Sequence, residues 1–364
     1  MPAESIESAE SAALSAFIDH MPKAEIHVHL EGSVRPRTVL ELAAKNGVPA
    51  PAADEAGLRD FFTFTDFDHF IEGYIAVCST LRQPGDFARI VREIGEDAAA
   101  QNILYMELHF NPATNVRKRG LDFHEMLAGM NAGRREALDR WGVEMRWIAD
   151  GVRDEGEEHR SVARTVDWIT ALPPEAGVIG LGLGGSEAGF PPGLFVEEFA
   201  RVLEAGLHVV AHAGETTGPE TIWNSIRLLH AERIGHGIRA IDDPALVRML
   251  AETGIPLEVC PVSNVRTRVV PSIAAHPFPL LDAAGVMVTV NSDDPPLFNT
   301  TLTNEFHVLA EEWGYDADGI ERIAANAVRA AFIPEPAKGR MLARFAAGCA
   351  ALRSELGLPP RSPA

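Results

Sequence analysis

Eight short runs rich in Val, Ile and Leu, separated by longer stretches of helical character, limit most what this chain can fold into. The runs are Ala24–Leu30, Ile103–His109, Val143–Asp150, Val178–Gly184, Leu207–His212, Arg233–His236, Ile255–Cys260 and Val286–Asn291. Helix stops punctuate them. Asn46-Gly47 closes one helix, and Ala205-Gly206, Thr253-Gly254 and Ala284-Gly285 stand just before the fifth, seventh and eighth runs. Amphipathic segments lie between, as in Pro192–Ala205, Pro219–His230 and Asp243–Thr253. Strand then helix, repeated eight times in a chain above about 250 residues, predicts an α/β fold of the (β/α)8 barrel type. A doubly wound sheet is the alternative. Residues 55–101 are too long for a plain strand–helix unit and are expected to add helices over the barrel mouth. Residues 1–20 form an N-terminal arm in this reading, Asp316–Leu356 adds further helices, and residues 1–364 make one barrel domain.

Charge narrows the partners. Lys and Arg number 32 against 52 Asp and Glu, a net charge of −20. Such a surface repels phosphate backbones and anionic lipids, so neither nucleic acid nor a membrane surface is expected as a partner. The three cysteines, Cys78, Cys260 and Cys349, are far apart and odd in number, which argues against a disulfide framework or a Cys-rich zinc site. The acidic first twenty residues lack the basic and apolar regions of a signal peptide, and no stretch of about 18 apolar residues is present to span a bilayer. A cytoplasmic protein is the expectation. The sequence does not set the oligomeric state.

In a barrel of this kind the chemistry sits at the C-terminal ends of the strands. Five of the eight runs end there in polar groups: His27-Val28-His29, Gly184-Gly185-Ser186-Glu187, His212-Ala213-Gly214-Glu215, His236, and Asn291-Ser292-Asp293-Asp294. The two-residue spacing of His27 and His29 puts both imidazoles on one face of a strand, towards the barrel interior. There they are costly unless satisfied, either by hydrogen bonds within the core or by a metal. His212 and Asp293 at other strand ends complete a nitrogen-and-oxygen set suited to Zn²⁺, with room for a water. A water so placed has its pKa lowered towards about 7 and becomes a nucleophile. Glu215 reads as a proton donor or acceptor beside it, or alternatively as an acid favoured at a helix N-terminus. His236 would orient or deprotonate the water, or be a core histidine. Asp294, stiffened by Pro295-Pro296, would bond substrate or support its neighbour.

The ordered motifs HVHLEGS (from His27), SEAGFPP (from Ser186), HAGE (from His212), RIGHG (from Arg233), CPVSN (from Cys260) and NSDDPP (from Asn291) resemble the adenosine and adenine deaminase group of the amidohydrolase superfamily. The likeness runs from about Pro22 to Phe332. It implies a (β/α)8 barrel holding one zinc per chain and hydrolytic loss of ammonia from C6 of a purine. Carried over by motif, His27, His29, His212 and Asp293 bind the metal and Glu215 protonates purine N1. His236 assists the zinc-bound water, Asp294 contacts N7 or that water, and the Gly185 N–H lies near N3. An aromatic C6 resists attack until N1 is protonated, so a carboxylic acid must keep its proton near neutral pH, as burial allows.

Departures bear on the substrate. Adenosine deaminases usually carry Asp where this chain has Glu31, a position that meets the ribose 5′-hydroxyl. Glu31 and Ser186-Glu187 are more similar to adenine deaminases. Phe62–Tyr74, His212–Trp223 and Ser263–Val270 resemble the aminodeoxyfutalosine deaminases, whose substrate carries a benzoate. Arg268, or Arg266, could pair with that carboxylate, or be a solvated pair at the rim. Adenosine-type nucleosides rank first in this reading, with aminodeoxyfutalosine and adenine as alternatives. Three rivals are weaker. His29-Leu30-Glu31 mimics the H-x-E of the cytidine-deaminase zinc site, but no C-x-x-C accompanies it. A binuclear hydrolase would need a lysine near Gly184, and the four lysines (Lys23, Lys45, Lys118 and Lys338) lie elsewhere. A non-catalytic, metal-stabilised binding protein would be expected to have lost Glu215, His236 or Asp294. His109, His208 and His307 carry no assigned role, and His208 is expected in the core near the barrel bottom.

Overall fold

The computed structural model describes residues 3–153 and 160–362. Eight strands form one sheet in sequential order, every neighbouring pair parallel. They are β1 (Lys23–His29), β2 (Ile103–Phe110), β3 (Glu144–Val152), β4 (Val178–Gly184), β5 (His208–Ala213), β6 (Arg233–His236), β7 (Leu257–Val259) and β8 (Val288–Val290). Helices follow the strands and surround them, as the alternation of apolar runs and amphipathic stretches requires.

The seam between β8 and β1 closes without a regular ladder. Asp293, beyond the end of β8, bridges Val28 in parallel register. His29 N donates to Asp293 O at 2.8 Å and Asp293 N to His27 O at 3.3 Å. Below this bridge the Asn291 carboxamide oxygen accepts from both Ile26 N and His27 N at 3.1 Å. The closing seam therefore fixes Asp293 against the two β1 histidines.

All eight expected strands occur, and the seventh and eighth are shorter than expected. Pro256 has no N–H to give a ladder, so β7 begins after it, although its carbonyl accepts from Ile234 N. Asn291 stands just beyond β8, its N–H still donating to Val259 O at 3.0 Å while its side chain turns to β1. The helix stops hold: Gly47, Gly206, Gly254 and Gly285 have φ of 62°, 76°, 71° and 85°.

The 55–101 segment folds as three helices, Glu55–Phe61, Phe67–Cys78 and Pro84–Ala100. Phe67–Cys78 overhangs the barrel mouth as expected. Pro84–Ala100 instead packs against the helix Phe123–Trp141 in the outer ring, burying Phe87, Ile90, Val91 and Ile94. The overhanging helix starts at Asp66, whose carboxylate accepts from His69 N at 2.9 Å, a cap of about 1 kcal/mol. Its Phe70 packs on Phe298 at 4.9 Å between ring centroids, which ties it to the turn after Asp294. The N-terminal arm is a helix, Ala3–His20, with Phe17 and Ile18 fully buried beside the long C-terminal helix Glu335–Leu356. No helix among the described residues is long and apolar enough to cross a membrane.

Candidate active site

The C-terminal strand ends open into a cavity of about 390 Å³. Its floor holds His29, His212, His236, Asp293, Asp294 and Glu215, and one wall is Phe67, Phe70, Ile71 and Tyr74 of the overhanging helix. Glycine makes the crowding possible. A Cβ on Gly235 of β6 would stand 2.9 Å from the His27 ring, and one on Gly32 would stand 1.5 Å from the Asp294 carboxylate. His236 and Asp293 adopt left-handed backbone conformations, φ 57° and 65°. For side chains with a Cβ this costs of order 1–3 kcal/mol and collects where function requires it.

His27, His29 and His212 each offer a ring nitrogen, all within 4.8 Å of one another. His29 Nε2 lies 3.3 Å from His212 Nε2 and 3.3 Å from Asp293 Oδ1, and His27 Nε2 is 3.6 Å from that oxygen. Ligand atoms about 2.0–2.1 Å from one tetrahedral zinc are about 3.3 Å apart, so the four residues fit such an ion. His27 Nε2 is buried with no hydrogen-bond partner, the condition of a ligand nitrogen. The opposite edges are held. His27 Nδ1 bonds Glu258 Oε2 at 2.7 Å, and Asp293 Oδ2 accepts from Ser263 Oγ at 2.6 Å. Glu258 is in turn paired with Arg233, whose guanidinium also bonds Glu107. Burial works against the Glu258 charge, yet Arg233 and His27 bring its pKa down to about 2. Carboxyl orientation of a ligand histidine is the usual support for a metal centre.

Negative charge is in excess here. Burial alone would lower the His29 pKa, but Asp294, Asp293 and Asp150 raise it to about 10. Asp293 and Asp294 are both desolvated and are pushed apart. Burial works against the Asp293 charge, but the neighbouring His27, His29 and His236 rings hold it well below the usual range, while burial and the Asp293 charge hold Asp294 well above it. Glu215 is likewise raised well above its ordinary value, first by burial and then by Asp293 and Glu187. It does not belong to a helix first turn, since the helix after β5 begins at Pro219. Glu187 holds the Glu215 loop, accepting from Gly214 N, Glu215 N, Thr216 N and the Thr217 hydroxyl at 2.6–2.9 Å. Burial and the neighbouring histidines push the His212 pKa far down, and burial takes that of His236 to about 4. His236 Nε2 stands 3.6 Å from Glu215 Oε2.

The structure brings together His27, His29, His212, Asp293, Asp294, Glu215 and His236, with Gly185 on the cavity wall at φ 84°. It does not bring Glu31 or Arg268 into the cavity. Glu31 is fully buried, and its carboxylate accepts from Asn111 N, Asn115 Nδ2 and the Tyr74 hydroxyl. Arg266 and Arg268 are exposed, and Arg117 and Lys118 line the mouth instead. His208 is at the bottom of β5 but not in the core: it is half-buried, stacked on Phe332 and bonded to Glu232. His307 bonds Asp19 away from the cavity. Sequence reasoning missed Glu258, Asp150 and His109. Asp150 bonds His109 at 2.9 Å and lies 3.6 Å from His29. The signal was a charged residue at an inward position of a strand, as in Leu257-Glu258-Val259, which must have a partner.

A family model described as adenosine deaminase matches residues 22–347. The chain belongs to the adenosine deaminase family. It is 43% identical over 328 residues to an aminodeoxyfutalosine deaminase of Streptomyces coelicolor, covering 90% of this chain and 84% of that one. Its fold matches the crystal structure of an adenine deaminase from Arthrobacter aurescens with a TM-score of 0.85 and 34% identity, over 89% of this chain and 98% of that one. It matches an amidohydrolase from Burkholderia ambifaria with bound Zn at a TM-score of 0.86 and 28% identity, over 95% of each. The protein is thus a hydrolase acting on C–N bonds, and its reaction is the hydrolytic deamination of an aminopurine.

Proposed function

We propose that this family member is a zinc-dependent aminohydrolase acting on a 6-aminopurine nucleoside with an anionic extension, of which aminodeoxyfutalosine is the named example. His27, His29, His212 and Asp293 would hold one zinc, and the excess of buried carboxylates around them suits a divalent cation. When bound, the metal supplies an activated water at neutral pH. The chain's own residues do the rest. Glu215, kept protonated by burial and by its acidic neighbours, gives its proton to purine N1 as the water oxygen adds to C6; one water proton returns to Glu215, and the other passes to the amino nitrogen as the C6–N bond breaks and ammonia leaves. Asp294 and Gly185 border the same space and would orient the ring.

The observation that carries the substrate class is the pair of cations Arg117 and Lys118 at the mouth of a cavity whose volume suits a drug-sized ligand. A benzoate carboxylate reaching the mouth would meet them. Adenosine, first on the motifs alone, moves behind aminodeoxyfutalosine because Glu31 is fully buried, engaged by three donors and not among the residues lining the cavity, where a 5′-hydroxyl would need it. The 43% identity to an aminodeoxyfutalosine deaminase supports the same order. Adenine is the second reading, favoured by the likeness to the Arthrobacter aurescens adenine deaminase. Ammonia release by the metal-loaded enzyme from aminodeoxyfutalosine, adenosine, 5′-deoxyadenosine, S-adenosylhomocysteine and adenine tests it. The expected result is a kcat/KM for aminodeoxyfutalosine at least about tenfold above the others, the worth of one charge-assisted contact. Preference for adenine would overturn the nucleoside assignment.

A further inference from the structure

Behind His236 lies a line of buried polar groups that the deamination chemistry does not use. His236, Asn264 and His276 are 1%, 0% and 4% exposed. Asn264 sits in the helix Pro261–Arg266 after β7, and His276 lies just before the helix Phe278–Ala283. Asn264 Nδ2 is 3.2 Å from His236 Nδ1, and Asn264 Oδ1 is 3.2 Å from His276 Nε2. Phe278 N donates to His276 Nδ1 at 3.1 Å.

A carboxamide can be turned either way on shape alone, and a neutral imidazole can carry its proton on either nitrogen, so polarity must come from the network. Here the network starts from a backbone amide, which can only donate. His276 Nδ1 accepts from it, so the neutral His276 ring carries its proton on Nε2. That proton requires an acceptor at Asn264, which orients the carboxamide oxygen towards His276 and the NH2 towards His236. His236 Nδ1 therefore accepts, and its proton is on Nε2, the nitrogen facing Glu215 and Asp293. Turning Asn264 over would set N–H against N–H at His276 in a site closed to water.

We infer that Asn264 and His276 are positioning residues that lock His236 in its Nε2–H tautomer, so that in the resting enzyme His236 donates a hydrogen bond to the reacting oxygen rather than acting as its base. This settles between the two roles left open for His236, and it rests on the aminohydrolase reading above. Packing supports it. His276 lies against Trp313 at 5.6 Å between ring centroids, and the Asn264 backbone carbonyl accepts from Val270 N, which fixes the main chain that carries the carboxamide. Burial, with a smaller contribution from His236, brings the His276 pKa to about 3 and keeps that ring neutral at working pH.

The test pairs two near-isosteric substitutions. Asn264→Asp offers only acceptors, so it still takes the His276 proton but forces the His236 proton onto Nδ1 and reverses the tautomer. His276→Gln keeps the polarity, its oxygen accepting from Phe278 N and its NH2 serving Asn264. With zinc content measured on each protein, Asn264→Asp is expected to lower kcat about 100-fold with KM nearly unchanged, while His276→Gln stays within about threefold of the parent. Nitrogen-15 spectra of histidine-labelled zinc enzyme, with His236 assigned from a His236→Gln difference, are expected to show a protonated Nε2 in the parent and a protonated Nδ1 in Asn264→Asp. Equal losses in both variants would mean that the residues only fill space, and a protonated Nδ1 on His236 in the parent would overturn the inference. If Asn264→Asp loses zinc or does not fold, the parent spectrum alone decides. If the parent releases ammonia from no aminopurine, the functional reading fails while the spectrum still decides the tautomer.

Discussion

Glu187→Gln should damage the site without touching any proposed metal ligand or proton donor. Five donor groups converge on the two Glu187 oxygens: Glu215 N, Thr216 N and the Thr216 hydroxyl on Oε1, and Gly214 N and the Thr217 hydroxyl on Oε2. Bonds from Thr217, Thr216 and Gly214, with the charge of Arg153, outweigh burial and hold this carboxyl below its ordinary range, so it is an anion in the working enzyme. A glutamine keeps one acceptor oxygen. With that oxygen facing Glu215 N and Thr216 N, its NH2 meets the Gly214 N–H, which cannot rotate away. The Thr217 hydroxyl can turn round, since it already shares a hydrogen bond with Thr221. At least one charge-assisted bond is lost and one amide is left unsatisfied, together about 2–4 kcal/mol of unfolding free energy. A shift of about 1 Å in the Glu215 backbone costs on the order of 100-fold in kcat. Charge adds an independent signature. Glu187 is one of the groups raising the Glu215 pKa, so removing its charge lowers that pKa. Glu215 must be protonated to serve N1, so the high-pH limb of kcat moves to lower pH. Urea unfolding and a pH–kcat profile read both effects. A variant of parental stability whose high-pH limb stays put, or moves to higher pH, would show that Glu187 neither holds the Glu215 loop nor acts on the Glu215 carboxyl.

Three further outcomes follow from the same geometry. Glu258→Gln keeps the shape of the group orienting His27 but removes its charge, and zinc affinity measured against a competing chelator should fall about 10–100-fold while the helical circular dichroism is unchanged. Glu305 is buried against Thr300 and Val262, and desolvation raises its pKa from 4.5 to about 8. The folded state then binds a proton more tightly than the unfolded one, so this group's stability contribution is full below about pH 4.5 and is lost as pH rises to about 8, at up to about 1.4 kcal/mol per pH unit. Glu305→Gln should remove that slope, so the melting temperature of the variant should gain on the parent between pH 6 and pH 8.5, and parallel curves would contradict it. Arg117→Ala should lower kcat/KM for aminodeoxyfutalosine about tenfold or more and leave adenosine within about threefold, measured as ammonia release.

The barrel was legible because its pattern is set by physics that acts locally. Val, Ile and Leu runs bounded by Gly stops need no knowledge of distant contacts, and they located all eight strands. The same holds for the floor of the site, because a residue at a strand end is carried to the mouth whatever else happens, as with His212 and His236. What the sequence hid depends on packing between elements remote in the chain. Glu258 meets His27 across 231 residues, and Glu187 meets Gly214 across 27. Arg268 follows a strand end and reads as a mouth residue, yet it is exposed and does not reach the cavity, while Arg117 and Lys118 of the helix Pro112–Arg119 do. Glu31 sits beside the HVH motif, but three donors from Tyr74, Asn111 and Asn115 claim it, and no local pattern announces them.

In the proposed mechanism a buried, protonated Glu215 drives hydrolytic deamination beside a metal held by three histidines and an aspartate. Ammonia release from aminodeoxyfutalosine by the parent and by Glu215→Gln, each with zinc content and melting temperature determined, tests it most directly. Full zinc occupancy and parental stability are expected in the variant, with a loss in kcat of about 10²–10⁴-fold, the usual worth of a general acid. A zinc-loaded Glu215→Gln that releases ammonia at the parental rate would contradict it.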